Sequence, residues 1–256
     1  AYSCAFNFLV PMAVGAHVYL LGKVPSPKIL LKAFEEVKPN LILTVPLILE
    51  KIYKKMILPQ LSKTTMKVAL NIPLLDSRIY AQIRKKLVDA FGGRFREVIV
   101  GGAAMNEEVT NFLYKIKFPF TIGYGMTECG PLISYDHNDE YVPGSCGQIL
   151  KGIMKVRIDS EDPYNKVGEI QVSGENVMKG YYKNEEATSK VFTEDGWLRT
   201  GDLGTIDADN RIYIRGRSKT MILGASGQNI YPEEIESKLN NLPFVMESII
   251  IEKNGK

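Results

Sequence analysis

The chain has 256 residues, enough for one large domain or two smaller ones. Hydrophobic residues make up 45% and charged residues 24%, a balance typical of a soluble globular protein. The net charge of +3, with lysines spread along the chain, argues against a nucleic-acid partner. Cys4, Cys129 and Cys146 form no CxxC pair, which indicates a reducing compartment, the cytoplasm, rather than a disulfide framework. With only His17 and His137, far apart, a zinc site is not expected.

The apolar N-terminal stretch from Ala5 to Leu21 is interrupted by asparagine, proline, glycine and histidine. A membrane-spanning helix needs about 20 apolar residues, so this stretch predicts a buried helix and then a short strand. No basic leader precedes it, which argues against a signal peptide. The chain begins without Met and ends on Asn-Gly-Lys, and both ends look cut.

Up to about residue 135, helical and strand patterns alternate. The predicted helices cover 6–13, Pro27–Val37, 46–57, 77–91 and a helix to 116 capped by Asn106, and the predicted strands cover 17–21, 41–45, 97–100 and 118–122. Strands in which apolar and polar residues do not clearly alternate, separated by helices, predict an α/β fold with a mostly parallel sheet and flanking helices. Ligands of such sheets bind beyond the carboxyl ends of strands, where the glycine turns 101–102 and 123–125 lie.

From about Gly147 the pattern changes to short strands bounded by turns. They cover 154–158, 168–173, 203–207 and 211–215, with a hairpin tip at Asp209-Asn210. This region predicts a small antiparallel β-barrel, followed by a basic joint at 216–219. A helix at 232–239 and a strand at 246–252 then predict the start of a small α+β C-terminal domain. The predicted domains are therefore 1–146, 147–216 and 217–256.

The segment from Tyr124 to Glu128 suggests a nucleotide site. A tyrosine between Gly123 and Gly125 can lay its ring along a flat base. Thr127 can donate to a phosphate oxygen, and Glu128 can hold Mg²⁺ through carboxylate oxygen. The alternative is a glycine-rich turn that ends a strand, since short motifs often match by chance. The neighbouring Cys129 has no His or Asp placed to activate it and is predicted to be a packing residue.

Three further segments have either polar side chains or very small side chains that leave the backbone accessible. Gly101-Gly102-Ala103-Ala104 could let a flat purine or an acyl chain lie against backbone, and the alternative is a tight turn before a helix. Asp202, predicted in a turn after a glycine, can accept hydrogen bonds from both hydroxyls of a ribose. The alternative is a solvent-exposed aspartate in a turn. Residues 215–219, Arg-Gly-Arg-Ser-Lys, could pair with phosphate or ribose oxygens or form an exposed hairpin end.

In this order the segments resemble the adenylate-forming, AMP-binding superfamily, and within it the long-chain fatty acid–CoA ligases. The motifs that carry the resemblance are GGAA at 101–104, YGMTE at 124–128, GEIQVSGENVMKGYY at 168–182, DGWLRTGDLG at 195–204, GRSK at 216–219 and NIYPEEIE at 229–236. The resemblance implies a two-step reaction. A carboxylate attacks the α-phosphorus of ATP to give an acyl-adenylate and pyrophosphate, and coenzyme A thiol then displaces AMP.

The resemblance also implies residue roles. Tyr124 stacks on adenine beside Gly125, Thr127 bonds the α-phosphate, Glu128 holds Mg²⁺, and Asp202 takes the ribose hydroxyls with support from Arg217. Gly102, Ala103 and Ala104 line the adenine and the acyl pocket. Lys219 lies at the hinge about which the small domain rotates between half-reactions, and the pantetheine arm of coenzyme A passes near the Gly227 loop.

Several family features have no counterpart in these residues. The Ser/Thr-rich phosphate loop and a histidine-bearing segment would precede Ala1, and the adenylation lysine would follow Lys256. Ile122 stands where many relatives carry Asn or Gln, Thr220 stands where an acid is common, and the loop 223–228 looks one residue longer. The chain is therefore interpreted as a piece of an enzyme that does not turn over alone.

Substrate and acceptor remain open at this level. The small Gly123 and the apolar residues 43–49 favour a medium-to-long fatty acid, although such apolar residues are often ordinary core. The expected partners are a fatty acid, ATP and coenzyme A, and a peripheral membrane contact and the oligomeric state stay undecided. The alternatives are an acyl-AMP ligase, a peptide-synthetase-type adenylation domain that loads a carrier protein, and a nucleotide-binding domain without catalysis.

Overall fold

A computed structural model describes residues 2–22, 24–224, 228–242, 244–245 and 247–252. Its contacts divide the chain into two compact units. Unit 1 comprises Ala1–Ile122 and His137–Pro143, and unit 2 comprises Gly123–Asp136 and Gly144–Lys256. The domain boundaries predicted after residues 146 and 216 remain predictions.

Unit 1 is built on a three-stranded parallel sheet. Its strands, in sheet order, are β1 (Leu41–Thr44), β2 (Glu97–Val100) and β3 (Phe120–Ile122). The register places Leu41 opposite Glu97, and Val98 opposite Phe120. Val98 in the central strand has no exposed surface, which explains why these strands read as apolar runs without alternation. The parallel α/β prediction is confirmed.

The helices of unit 1 are α1 (Tyr2–Cys4), α2 (Val10–Ala13), α3 (Pro27–Val37), α4 (Pro46–Ile52), α5 (Leu58–Leu61), α6 (Thr64–Leu70), α7 (Leu75–Ala90) and α8 (Glu107–Lys115), with π-helical segments at Ala5–Leu9 and Tyr53–Ile57. The helices predicted at 27–37, 46–57 and 77–91 and the helix to 116 lie close to their predicted positions, whereas the helices at 58–61 and 64–70 were not predicted. The helical segments at 2–13 contain no buried residue, so the prediction of a buried helix there is wrong. Ser26 caps α3 by accepting from the Ile29 N–H at 3.4 Å. Asn106 caps α8 by accepting from the N–H groups of Glu108 and Val109.

The strand predicted at 17–21 is wrong. Residues 16–22 have no regular secondary structure. A strand exists only where its backbone pairs with a neighbour, and the described part of the chain gives this segment no such partner. The apolar sequence of a short segment could not reveal that.

Unit 2 is dominated by an open antiparallel sheet. Its strands, in sheet order, are β6 (Met154–Asp159), β7 (Gly168–Gly174), β8 (Leu198–Ile206) and β9 (Ile212–Arg217). The antiparallel prediction is confirmed, but among the described residues β6 and β9 do not pair with each other, so the sheet does not close into the predicted barrel. One face of the sheet covers a core that includes Ile170 and Ile212, both with no exposed surface. Closure depends on how many strands curl around that core, which short strand patterns do not encode.

Shorter elements complete unit 2. They are β4 (Tyr124–Gly125), a 3₁₀ turn (Thr127–Cys129), β5 (Leu132–Ser134), α9 (Glu185–Val191), β10 (Ile222–Leu223), β11 (Asn229–Ile230) and α10 (Pro232–Leu239). The predicted limits of α10 are confirmed. The predicted strand at 246–252 is wrong, because the described residues 247–252 form no strand. The joint predicted at 216–219 begins inside β9, which continues to Arg217.

No helix among the described residues has both the length and the apolar character needed to cross a bilayer.

Candidate functional site

Gly125 lies where two backbone segments of unit 2 approach each other closely. It belongs to β4, which pairs antiparallel with β5, with Tyr124 opposite Ser134 and Gly125 opposite Leu132. A Cβ atom added at Gly125 would overlap the carbonyl oxygen of Pro131. Glycine is therefore required here by packing, whatever its role toward a ligand.

Tyr124, Asp202 and Arg217 form one connected network. The Tyr124 ring is only 7% exposed and packs in the core of unit 2. Its hydroxyl donates to Asp202 Oδ2 at 2.6 Å, and Arg217 Nε lies 3.1 Å from Asp202 Oδ1. The Asp202 side chain is 8% exposed and that of Arg217 is 72% exposed. The network thus presents a nearly buried carboxylate, held on both oxygens, next to a solvent-accessible cation.

Asp202 is not in a turn, contrary to the prediction from the preceding glycine. It lies within β8, directly opposite Arg217 of β9. Gly201 has a φ of +73°, and the register of β8 shifts against both of its neighbours near this point. A glycine with positive φ inside a strand produces a bulge rather than a chain reversal, and a bulge redirects the side chain beside it.

Burial and the neighbouring Asp202 carboxylate raise the pKa of Tyr124 well above its ordinary value. The phenol therefore stays protonated at neutral pH and acts as the donor, so the carboxylate is the acceptor of the pair. The N–H of Asp202 donates to Thr200 Oγ1 at 3.1 Å, and that hydroxyl donates to the Ile170 carbonyl at 2.7 Å. These contacts fix the backbone that carries the carboxylate.

Thr127 and Glu128 lie on the 3₁₀ turn that follows β4. Thr127 is exposed and Glu128 is partly buried. Glu128 Oε1 accepts a hydrogen bond from the hydroxyl of Tyr181 at 2.9 Å. That hydrogen bond is the main cause of a raised pKa at Tyr181. The turn thus presents an accessible hydroxyl beside a carboxylate with a defined protein contact.

The glycine turn after β2 belongs to unit 1. Gly101 is buried, and a Cβ there would lie 3.0 Å from the Tyr2 ring, whereas Gly102 is exposed with a φ of +89°. Sterics and backbone conformation therefore account for both glycines. Ala103 and Ala104 are exposed in the same turn. Their predicted role in lining the adenine and the acyl pocket stays a prediction.

The remaining predicted residues lie near the end of unit 2. Lys219 is exposed in the turn after β9, two residues beyond Arg217, and its hinge role stays a prediction. Gly227, predicted near the path of the pantetheine arm, lies outside the described residues. The hydroxyl of Thr220, which replaces a common acid, donates to Glu233 Oε1 at 2.7 Å.

Cys129 has the packing role that was predicted for it. It has no exposed surface, and burial raises the pKa of its thiol to about 12. Burial likewise raises the pKa of Cys146 to about 12, whereas Cys4 is exposed. By its exposed surface, Cys146 itself is only partly buried. A thiol reacts as its thiolate, so neither of these two cysteines should be nucleophilic.

We therefore expect brief iodoacetamide treatment of the native protein at about pH 8 to leave Cys129 and Cys146 unmodified. Both should react once the protein is unfolded in denaturant, which serves as the control. Peptide mass spectrometry measures the modified fraction at each position. Rapid native labelling of Cys129 would contradict its assignment to the core.

Sequence reasoning missed the side chains that support the site. Tyr181 was part of a quoted motif, yet it received no role, because its contact with Glu128 joins positions 53 residues apart. Thr200 was missed for a similar reason, since its hydroxyl bonds a carbonyl on the neighbouring strand. The available signal was the repeated tyrosine at 181–182 directly after a glycine.

The carboxylate of Glu128 is better suited to a magnesium ion that arrives with a nucleotide than to a metal ion bound by protein ligands alone. Among the described residues, no group of three or more His, Cys, Asp or Glu is placed to hold a metal ion. Mg²⁺ is commonly bound through one or two carboxylates together with substrate phosphates. A single accessible carboxylate at Glu128 fits that mode.

Comparison with known proteins identifies the family of this chain. Residues 1–182 match the family model described as "AMP-binding enzyme". The chain belongs to this family. Among its relatives, long-chain-fatty-acid–CoA ligase 1 of Saccharomyces cerevisiae is 28% identical over 87% of this chain, and 4-coumarate-CoA ligase 1 of Narcissus pseudonarcissus is 33% identical over 70%. The alignments cover 34% and 35% of those proteins, so the chain spans about a third of their length.

Solved structures of AMP-binding enzymes share the fold. O-succinylbenzoate coenzyme A synthetase from Bacillus subtilis, in complex with ATP and magnesium ion, is 25% identical with a TM-score of 0.71. The match covers 96% of this chain and 46% of that one. The architecture of both units is therefore that of an adenylate-forming enzyme.

Proposed function

We propose that this chain carries the adenylate-binding residues of an ATP-dependent acid–thiol ligase. Its reaction would join a carboxylic acid to coenzyme A through an acyl-adenylate. One observation carries the proposal. Tyr124, Asp202 and Arg217, far apart in sequence, form a hydrogen-bonded network in a chain of the AMP-binding family.

Each residue would contribute positioning or charge rather than covalent chemistry. Asp202 would accept hydrogen bonds from the ribose hydroxyls. The exposed side chain of Arg217 would move to donate to the same hydroxyls. The small exposed part of Tyr124 would lie against adenine, with Gly125 beside it. Thr127 would donate to the α-phosphate as the carboxylate oxygen attacks phosphorus and pyrophosphate leaves. Thiol attack on the acyl carbonyl would then release AMP.

Glu128 would hold Mg²⁺ through carboxylate oxygen. When bound, the ion neutralises phosphate charge and so favours attack by an anionic carboxylate. Support comes from the relative in complex with ATP and magnesium ion, which shares this fold.

A medium-to-long fatty acid is the substrate that we propose. Support comes from the yeast relative, named a long-chain-fatty-acid ligase, and from the small Gly123 beside the site. The 33% identity to a 4-coumarate-CoA ligase favours a second candidate, an aromatic acid. The three free cysteines support a cytoplasmic location. Because the chain spans about a third of its relatives, we also propose that these 256 residues alone do not catalyse turnover.

ATP–pyrophosphate exchange tests the proposal. The protein expressed from the complete reading frame that encodes these residues is incubated with ATP, Mg²⁺ and either palmitate or 4-coumarate. We expect exchange with palmitate, coenzyme A-dependent thioester formation, and no turnover by the 256-residue chain. Exchange with 4-coumarate alone would select the aromatic substrate. Exchange with neither acid, together with no ATP binding, would contradict the proposed activity.

The variant Glu128→Gln should lower the exchange rate about tenfold at limiting Mg²⁺, and excess Mg²⁺ should partly restore it. The matched control is Glu175→Gln, an exposed glutamate elsewhere in unit 2. An exchange rate for Glu128→Gln with the wild-type dependence on Mg²⁺ would remove Glu128 from the metal site.

A further inference from the structure

The turn that carries Glu128 is held by the chain that follows β7. The N–H of Met178 donates to the Glu128 carbonyl at 2.7 Å. Asn176 Nδ2 donates to the carbonyls of Cys129 at 2.6 Å and Leu132 at 2.8 Å. The amide thereby bridges both ends of the connection between the 3₁₀ turn and β5. Asn176 Oδ1 is buried without a partner among the described residues. The two hydrogen bonds that Nδ2 donates therefore orient the amide.

The same stretch also reaches the Glu128 side chain. We call residues 176–181 the clamp segment. At its end, the Tyr181 hydroxyl donates to Glu128 Oε1 at 2.9 Å. The clamp segment therefore fixes both the backbone and the carboxylate of Glu128. Oε2 of that carboxylate has no hydrogen-bond partner within the described ranges.

Helix α9 in turn fixes Tyr181. The N–H of Tyr181 donates to Thr188 Oγ1 at 2.9 Å. Asn184 caps α9 by accepting from the Ala187 N–H at 3.0 Å. Gly180 has a φ of +151°, and a Cβ there would come within 2.7 Å of Thr188 Cγ2. Glycine at this position therefore allows the chain to pass close to α9. The position of the phenol is thus set by a capped helix rather than by a free loop.

We propose that Tyr181 is a positioning residue for the metal-binding carboxylate. It holds one oxygen of Glu128 and leaves the second oxygen available to the divalent ion that accompanies ATP. This proposal rests on the proposed function, because it assumes that Glu128 binds Mg²⁺. Partners of metal-ligating carboxylates commonly orient them, and losing such a partner lowers metal affinity about 10–100-fold.

The test compares two adjacent tyrosines. Tyr181→Phe removes only the hydroxyl that contacts Glu128. Tyr182→Phe removes the hydroxyl of a neighbour that is 88% exposed and contacts the Lys183 amine through its ring. Mn²⁺ affinity is measured by electron paramagnetic resonance on the full-length protein bound to α,β-methylene-ATP. We expect Tyr181→Phe to weaken Mn²⁺ binding about tenfold and Tyr182→Phe to leave it unchanged.

Glu128→Gln and the double variant Glu128→Gln/Tyr181→Phe separate this inference from the proposed function. If the inference holds, Tyr181→Phe has no additional effect once Glu128 is replaced. If Glu128→Gln weakens Mn²⁺ binding while Tyr181→Phe leaves it unchanged or strengthens it, the positioning role is wrong and the proposed function stands. If α,β-methylene-ATP does not bind, or Glu128→Gln leaves Mn²⁺ affinity unchanged, the metal assignment fails and the positioning role fails with it.

Discussion

Replacing Gly125 by alanine should destabilise the protein by about 3 kcal/mol, at the upper end of the range for overpacked sites. The added Cβ would overlap the carbonyl oxygen of Pro131, which is backbone and cannot rotate away. Relief requires β4 to separate from β5, and that separation would also displace Tyr124, the residue opposite Ser134. For a chain of this size, the loss corresponds to a fall of about 6–12 °C in the unfolding midpoint.

Gly123→Ala is the matched control for that variant. It makes the same chemical change two residues earlier, where the nearest atoms to a new Cβ lie at 3.5 and 3.6 Å and φ is not positive. Its unfolding midpoint should stay within about 2 °C of wild type. Calorimetry of both variants measures the difference, and equal midpoints would show that the close approach of β4 to β5 is not present in solution.

Asp202→Ala should have the second large effect, this time on catalysis. If its carboxylate accepts the ribose hydroxyls, the variant loses charged hydrogen bonds worth about 1.5–3 kcal/mol each. The kcat/KM for ATP in pyrophosphate exchange should then fall about 100-fold or more. Stability should fall as well, by about 1–3 kcal/mol, because the buried Tyr124 hydroxyl loses its acceptor.

Two comparisons isolate the catalytic part of that effect. The double variant Tyr124→Phe/Asp202→Ala removes both hydrogen-bonding partners and should recover part of the lost stability without restoring activity. Asp209→Ala removes an exposed aspartate that lies 2.7 Å from Arg211, and it should retain wild-type kcat/KM. Wild-type kcat/KM for folded Asp202→Ala would exclude this carboxylate from nucleotide recognition.

The sequence predicted the elements whose ends are encoded locally. Helix α3 follows from Ser26, which caps it, and from Pro27, which suits the first helical turn. Helix α8 follows similarly from Asn106. The strands of the parallel sheet were predictable because burial on both faces favours apolar residues at successive positions, as at 98–100 of β2.

What depends on distant partners was not predictable. Among the residues that the structure describes, the segment 17–21 has no neighbouring strand with which to pair, and no single strand sequence encodes the curvature needed to close a barrel. Asp202 was expected in a turn because Gly201 reads as a breaker, whereas pairing with β9 keeps it in a strand. The motif supplied Glu128, but only the fold revealed its contact with Tyr181.

Whether the Asp202 carboxylate binds the hydroxyls of a ribose can be measured directly. Dissociation constants of a stable palmitoyl-sulfamoyl-adenosine and its 2′,3′-dideoxy counterpart are measured by calorimetry for wild type and Asp202→Ala. We predict that wild type loses about 100-fold in affinity when the hydroxyls are absent, and that the variant loses less than about threefold. Equal binding of both ligands by wild type, or undiminished discrimination by Asp202→Ala, would contradict an adenylate site built on this carboxylate.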